Sequence, residues 1–171
     1  MHKIFFPLFL LTTSTVALAT YCPFCDRAVI ERQAFYEDDL VLALYDHKPI
    51  FPGHSLIIPK RHVERFEQLT EEEITQIGRA IKKTNSLISK VFQTSAYLIA
   101  EKNGREVGQS VPHIHFHYIP RKSGDDSILY FLWSSCLAHL KKQISPTDMK
   151  EITDLLKSAN TDLLQPVEKK M

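Results

Sequence analysis

Residues 113–117 read His-Ile-His-Phe-His and run on into Tyr118 and Ile119. Strict alternation of this kind fits the two-residue period of a β-strand and not the 3.6-residue period of a helix. In a strand, His113, His115 and His117 share one face, spaced about 6.6 Å apart along the chain. Ile114, Phe116 and Tyr118 share the other, which can pack on a core. Each buried imidazole needs a hydrogen-bond partner, so the histidine face suits a cleft, a metal site or a phosphate site better than plain core. A chance cluster on an exposed strand is disfavoured, because such faces take Thr, Lys and Glu. Six of the eight histidines also fall between residues 47 and 117. His2 and His139 are read as residues without a role.

The other elements can be placed around this strand. Ala34 to Glu37 reads as a short strand, Leu40 to Asp46 as a buried one and Ser55 to Ile58 as another, ended by Pro59. Two prolines and Gly53 make 48–53 a loop. Thr70-Glu71-Glu72-Glu73 is a capping box opening a helix to about Phe92. Ile74, Ile77, Ile81, Ile88 and Val91 are its core face. Ala96 to Ala100 is a strand, Lys102 to Gly108 a turn-rich loop, and Val111 to Ile119 the histidine strand. Ile128 to Lys142 and a capped start at Ser145-Pro146-Thr147-Asp148 predict two further helices. Turns or one long helix join the strands, so an α+β domain is expected: an antiparallel sheet of about five strands, one long helix and C-terminal helices.

A chain of 171 residues suffices for one domain with a core. A net charge of +1 gives no basic excess for nucleic acid or an anionic membrane, so neither is an expected partner. The first nineteen residues differ from the rest. A weakly basic start, an apolar run at Ile4–Leu11 and Ala17-Leu18-Ala19 make the three-part layout of a secretory signal peptide. The run is too short to span a bilayer, so no stable membrane insertion is expected after cleavage. A misassigned start or a short anchoring tail are the alternatives. Tyr21 before Cys22 argues against a lipoprotein.

Cys22-Pro23-Phe24-Cys25 has metal-knuckle spacing. Thiolates and imidazoles together make a tetrahedral zinc site, and His62 and His113 are available to complete it. A redox dithiol and a disulfide remain open alternatives. Cys136 stands alone. In the loop before the histidine strand, Asn103-Gly104 and Gly108-Gln109-Ser110 bring glycines and small polar groups close to the imidazoles. Glycine lets backbone N–H groups approach a phosphate closely.

Taken together, these segments resemble the histidine-triad (HIT) family. The triad motif alternates histidine with apolar residues, as 113–119 does. Upstream, Asp46, Pro49, Gly53-His54, Leu56, Ile58-Pro59-Lys60 and His62 are similar to a second family block, and Gly108-Gln109-Ser110-Val111-Pro112 leads into the triad as in members. Cys22-x-x-Cys25 resembles the opening of many bacterial members, and the resemblance covers about residues 21–121. It implies a HIT-like fold over 20–125, followed by a helical extension over 126–171. It also implies a nucleotidyl hydrolase or transferase acting on the α-phosphate of a purine nucleotide derivative, either a phosphoramidate or a dinucleoside polyphosphate. His115 would be the nucleophile. His117 and His54 would contact phosphate, with Ser110, Gly108 and Gln109 around the phosphate oxygens and leaving group. Asp46 would hold the ribose, and Asn103 matches a phosphate-side asparagine with its spacing one residue short. Cys22, Cys25, His62 and His113 would hold a structural zinc ion, and the chain would form a two-fold dimer.

Two other readings stand beside the enzyme. One is a nucleotide- or partner-binding module with little turnover. The other is an exported metal-binding protein in which all three triad histidines bind metal. Export itself sits uneasily with a nucleotide substrate, since few nucleotides occur outside the cytoplasm.

Overall fold

The computed structural model describes residues 21–94, 96–124 and 127–164; the expected leader at 1–19 lies outside them. Five strands form one sheet: β1 (Ala34–Glu37), β2 (Val41–Tyr45), β3 (Ser55–Pro59), β4 (Ala96–Glu101) and β5 (Phe116–Arg121). Their order is β1-β2-β3-β5-β4 and every pairing is antiparallel. Every residue of β2 and β3 is buried, because both faces of the sheet are covered there. Val41, Ala43, Tyr45 and Ile57 join the main core, while Leu42, Leu44, Leu56 and Ile58 join a smaller core with Cys22 and Phe24. The fold is α+β, as expected.

The long helix, α2 (Glu71–Phe92), starts where the capping box placed it, with the Glu73 amide bonded to the Thr70 hydroxyl and the Glu73 carboxylate accepting from the Thr70 amide. Ile77, Ala80, Thr84, Leu87 and Ile88 are buried on it, against β2 and β3. The buried Glu73 carboxylate also accepts two bonds from Arg61, at 3.0 and 2.7 Å. The Arg61 hydrogen bonds hold that carboxyl below its usual range. One side chain therefore caps α2 and ties down the segment that presents the neighbouring His62.

The loop between β2 and β3 is pressed onto α2. Gly53 has φ +94°, and a Cβ there would lie 2.7 Å from Ile88 Cγ2, so the position needs glycine both for backbone conformation and for space. Its N–H donates to the Tyr45 hydroxyl at 3.1 Å. The loop closes where the Asp46 amide bonds to the His54 carbonyl, which brings those two residues together.

Two differences from the sequence expectation, and the placement of the C-terminal helices, matter for the site. A short helix, α1 (Arg27–Gln33), capped by Asp26, precedes β1. Its seven residues are too few for a periodic apolar face to stand out. The histidine strand begins at Phe116 and not at Val111. Pro112 has no N–H to donate, the His113 amide turns back to the Val111 carbonyl, and the Ile114 amide bonds to Val63. The first two triad histidines thus lie on the approach to β5. The two expected C-terminal helices are present as α3 (Ile128–Leu137), followed by a 3-10 turn at 138–140, and α4 (Pro146–Leu164). Met149, Leu156 and Ala159 of α4 belong to the main core. Among the described residues, no helix is long and apolar enough to cross a membrane.

Candidate active site and metal centre

The four residues proposed as metal ligands meet in space. Cys22 Sγ lies 3.5 Å from His113 Nδ1, and Cys25 Sγ lies 3.3 Å from His62 Nδ1 and 3.6 Å from His113 Nδ1. All four ligand atoms fall within 4.8 Å of one another. Zn–S bonds of about 2.3 Å and Zn–N bonds of about 2.0–2.1 Å at tetrahedral angles put S and N about 3.6 Å apart, so the donor spacing fits zinc. His113 Nε2 donates to the Pro59 carbonyl at 2.9 Å. A carbonyl only accepts, so Nδ1 keeps its lone pair and aims it at the thiols. This is the second-sphere bond that orients a ligating imidazole. Burial and the neighbouring Cys22 push the Cys25 thiol up to about 11; a dication between the two sulfurs reverses that balance.

The other two triad histidines face elsewhere. His115 Nδ1 donates to the His113 carbonyl at 2.8 Å, which leaves the Nε2 lone pair free. Phe24 packs an edge on both His113 and His115, with ring centroids 5.8 and 5.2 Å away. His117 lies on β5 opposite Leu56 of β3 and Ala100 of β4. Its Nδ1 is 3.0 Å from His54 Nε2. The Ile50 amide donates to His54 Nδ1 at 3.2 Å, so in neutral His54 the proton sits on Nε2. That proton goes to His117 Nδ1, and His117 Nε2–H is left to point at a ligand. Burial lowers the pKa of His54, His115 and His117, the last to about 3, so all three are neutral at pH 7.

The remaining predicted residues divide. The Asp46 carboxylate accepts from the Lys48 amide at 2.7 Å and lies 3.6 Å from His54 Nδ1. Asp46, Ser110, His115 and His117 border two adjoining cavities, of about 510 and 470 Å³, and Gly108 and His54 border the second. Gly108 needs its glycine for φ +88°. Asn103 and Gln109 border neither cavity. Asn103 accepts from the Phe66 amide and donates to Glu67, and Gln109 bridges the Gly104 amide and the Glu64 carbonyl. Both hold the 102–110 loop to the turn after His62. The sequence reading omitted Lys102 and His47, which border the site, and the C-terminal residues Phe131, Ser135, Gln143 and Ile144, which wall it. A lysine beside Asn-Gly is a visible signal; the C-terminal wall is not, because only the folded chain brings it across.

A family profile described as the HIT domain matches residues 27–124. The chain belongs to the histidine-triad family. A HIT-like protein of Methanocaldococcus jannaschii is 39% identical over 112 residues, covering 64% of this chain and 86% of its own. The asymmetrical bis(5′-nucleosyl)-tetraphosphatase of Schizosaccharomyces pombe is 45% identical over 95 residues, 56% of this chain and 52% of its own. This HIT chain thus spans about half the length of the yeast relative. Of solved structures, the diadenosine triphosphate hydrolase of Plasmodium falciparum in complex with cyclomarin A matches with a TM-score of 0.66 and 27% identity, over 79% of this chain and 80% of its own. A zinc-bound histidine-triad protein of Mycobacterium smegmatis matches with a TM-score of 0.62 and 27% identity, over 83% and 94%. The profile match stops at Gly124, so α3 and α4 lie beyond it.

Proposed function

We propose that this HIT protein is a nucleotidyl hydrolase or transferase that attacks the α-phosphate of a purine nucleotide derivative, a phosphoramidate or a dinucleoside polyphosphate, through a covalent nucleotidyl-His115. The observation that carries the reading is the His115 tautomer. Its Nδ1–H is fixed on the His113 carbonyl, and its Nε2 lone pair is free in the cleft between the two cavities. A neutral, oriented imidazole is a good nucleophile near pH 7.

In the first step the Nε2–P bond forms and the bond from phosphorus to the leaving group breaks. A polyphosphate departs with the electron pair as an anion and needs no proton, whereas the amine of a phosphoramidate takes up one proton from solvent as its P–N bond breaks. The positive charge left on the His115 ring is held by the His113 carbonyl. Water then attacks phosphorus, the P–N bond breaks, the pair returns to Nε2 and one proton is released to solvent. His117 Nε2–H and the Ser110 hydroxyl donate to phosphate oxygens, an electrostatic contribution made before the reaction starts. His54 holds His117 in register, Asp46 takes the ribose hydroxyls, and Gly108 lets backbone approach the phosphates. Asn103 and Gln109 act by positioning that loop. Cys22, Cys25, His62 and His113 would hold zinc, and with all four positions taken by protein the ion would supply rigidity and not Lewis acidity.

The test is turnover of diadenosine tetraphosphate and of adenosine 5′-phosphoramidate by the purified protein, with a quenched reaction examined for one added nucleotidyl mass on the His115 peptide. Binding of these nucleotides without turnover makes the protein a binding module instead. The third reading, one metal shared by the triad, is poorly supported, since His113 groups with the cysteines, His117 with Asp46 and His54, and His115 with neither. The proposal includes a two-fold dimer and a cleaved leader. N-terminal sequencing of the natural protein is expected to begin at Thr20; Met1 at that position removes the export reading.

A further inference from the structure

The cleft at His115 and His117 has two sides. Pro23, Phe24, Gln33 and Leu56 wall the 510 Å³ cavity, and Leu98, Ala100, Lys102, Ile119, Phe131 and Ser135 wall the 470 Å³ one. Each is within the usual size range of small-molecule sites, about 300–1,000 Å³. Asp46, His47, Ser110, His115 and His117 border both. A phosphorus atom bonded at the His115 Nε2 would sit at their junction, with the nucleotidyl part on one side and the departing part on the other.

The second cavity is lined both by residues of β4 and β5 and by Phe131 and Ser135 of α3, and α3 and the segment after it are tethered to neighbouring elements. The Arg121 guanidinium lies 5.4 Å from the Phe51 ring and 5.3 Å from the Phe131 ring. Lys141 Nζ donates to the carbonyls of Pro49 and Ile50, at 3.3 and 2.8 Å, and the Ile144 amide bonds to the His47 carbonyl. All of these anchors except Arg121 are on the loop that carries Asp46 and His54. The wall and the catalytic loop are therefore one unit.

The lining has the chemistry of a particular guest. Leu98, Ala100, Ile119 and Phe131 offer flat apolar surface. Lys102 stands at the reactive end, bordering the same cavity as His115 and His117. The Ser135 hydroxyl is buried and has no hydrogen-bond partner among the described residues, a state that calls for a partner from elsewhere. A small amine leaving group would leave most of this surface bare.

We propose that residues 127–138 build a leaving-group subsite for a nucleoside polyphosphate, with the planar base against Phe131 and Ser135 and the intervening phosphates beside Lys102. Phe131, Ser135 and Lys102 are then specificity-determining residues supplied partly from outside the region that the family profile matches. The inference rests on the nucleotidyl-hydrolase reading and deepens it.

The experiment measures kcat/KM for diadenosine tetraphosphate and for adenosine 5′-phosphoramidate, which share the nucleotidyl half, and follows their ratio. Ser135→Trp fills the cavity and Lys102→Gln removes the charge without altering the α3 packing. Each is expected to lower the ratio by about tenfold or more relative to wild type. A ratio within about threefold of wild type in both variants overturns the proposal, including the case where both substrates suffer equally. Wild-type turnover of the phosphoramidate alone also overturns it while leaving the hydrolase reading intact. Turnover of neither substrate removes both.

Discussion

His115→Ala is expected to lower turnover of diadenosine tetraphosphate by about a thousandfold or more, as removal of a nucleophile commonly does. No neighbouring imidazole can substitute. The His113 Nδ1 lone pair faces the two thiols, and His117 Nδ1 is already hydrogen-bonded to His54. His117 Nε2 carries a proton and cannot attack. The loss should appear in kcat, since in the proposed reading Asp46, Ser110, His117 and the cavity walls bind the nucleotide, and all of them remain. Metal content should stay unchanged, because His115 is not one of the four clustered donors. His115→Asn guards against a folding artefact: its amide can still donate to the His113 carbonyl, so the buried acceptor keeps a partner. Activity within about tenfold of wild type in both variants, or loss of metal along with His115, would sink the nucleophile assignment.

Much of this arrangement was legible before folding. Alternation over 113–117 separated the imidazoles from Ile114, Phe116 and Tyr118, and Thr70 with Glu73 marked the start of α2. The knuckle spacing of Cys22 and Cys25 pointed to a metal. Such signals are local: a period, a cap, a two-residue gap. What stayed hidden depends on contacts between distant segments. The break before Phe116 arises because Ile114 bonds to Val63 and Pro112 cannot donate, and no strand pattern encodes that partner. Asn103 and Gln109 read as ligand-facing because they flank glycines, yet their amides serve residues 64–67, nearly forty positions or more upstream. The role of α3 was equally invisible. The helix itself was expected, but Leu129 and Trp133 on it are 76% and 66% exposed. What holds it is the stack of Arg121 and Phe131 with Phe51, a residue seventy positions upstream of Arg121.

Cys22→Ser is expected to abolish stoichiometric zinc binding and to destabilise the chain by about 3–5 kcal/mol, the range associated with loss of a built-in metal site. For a chain of this size that lowers Tm by roughly 10 °C. Cys22 is buried in the smaller core with Phe24 and Leu56, so the serine hydroxyl would sit among apolar neighbours. The ion would join the 22–25 knuckle, the segment after β3 that carries His62, and the approach to β5 at His113. The consequence reaches the nucleophile. His113 is fixed at Nε2 by Pro59 and would be fixed at Nδ1 by the metal, and its carbonyl holds the His115 Nδ1–H. Removing the ion frees one of those fixings, so chelation should reduce kcat more than it raises KM, and zinc should restore it. Measurement is direct: metal per chain by elemental analysis, Tm by calorimetry, and kinetics before and after chelation. One zinc retained by Cys22→Ser at an unchanged Tm would contradict the four-ligand centre. Chelated protein with full kcat would break the link from the metal through His113 to His115.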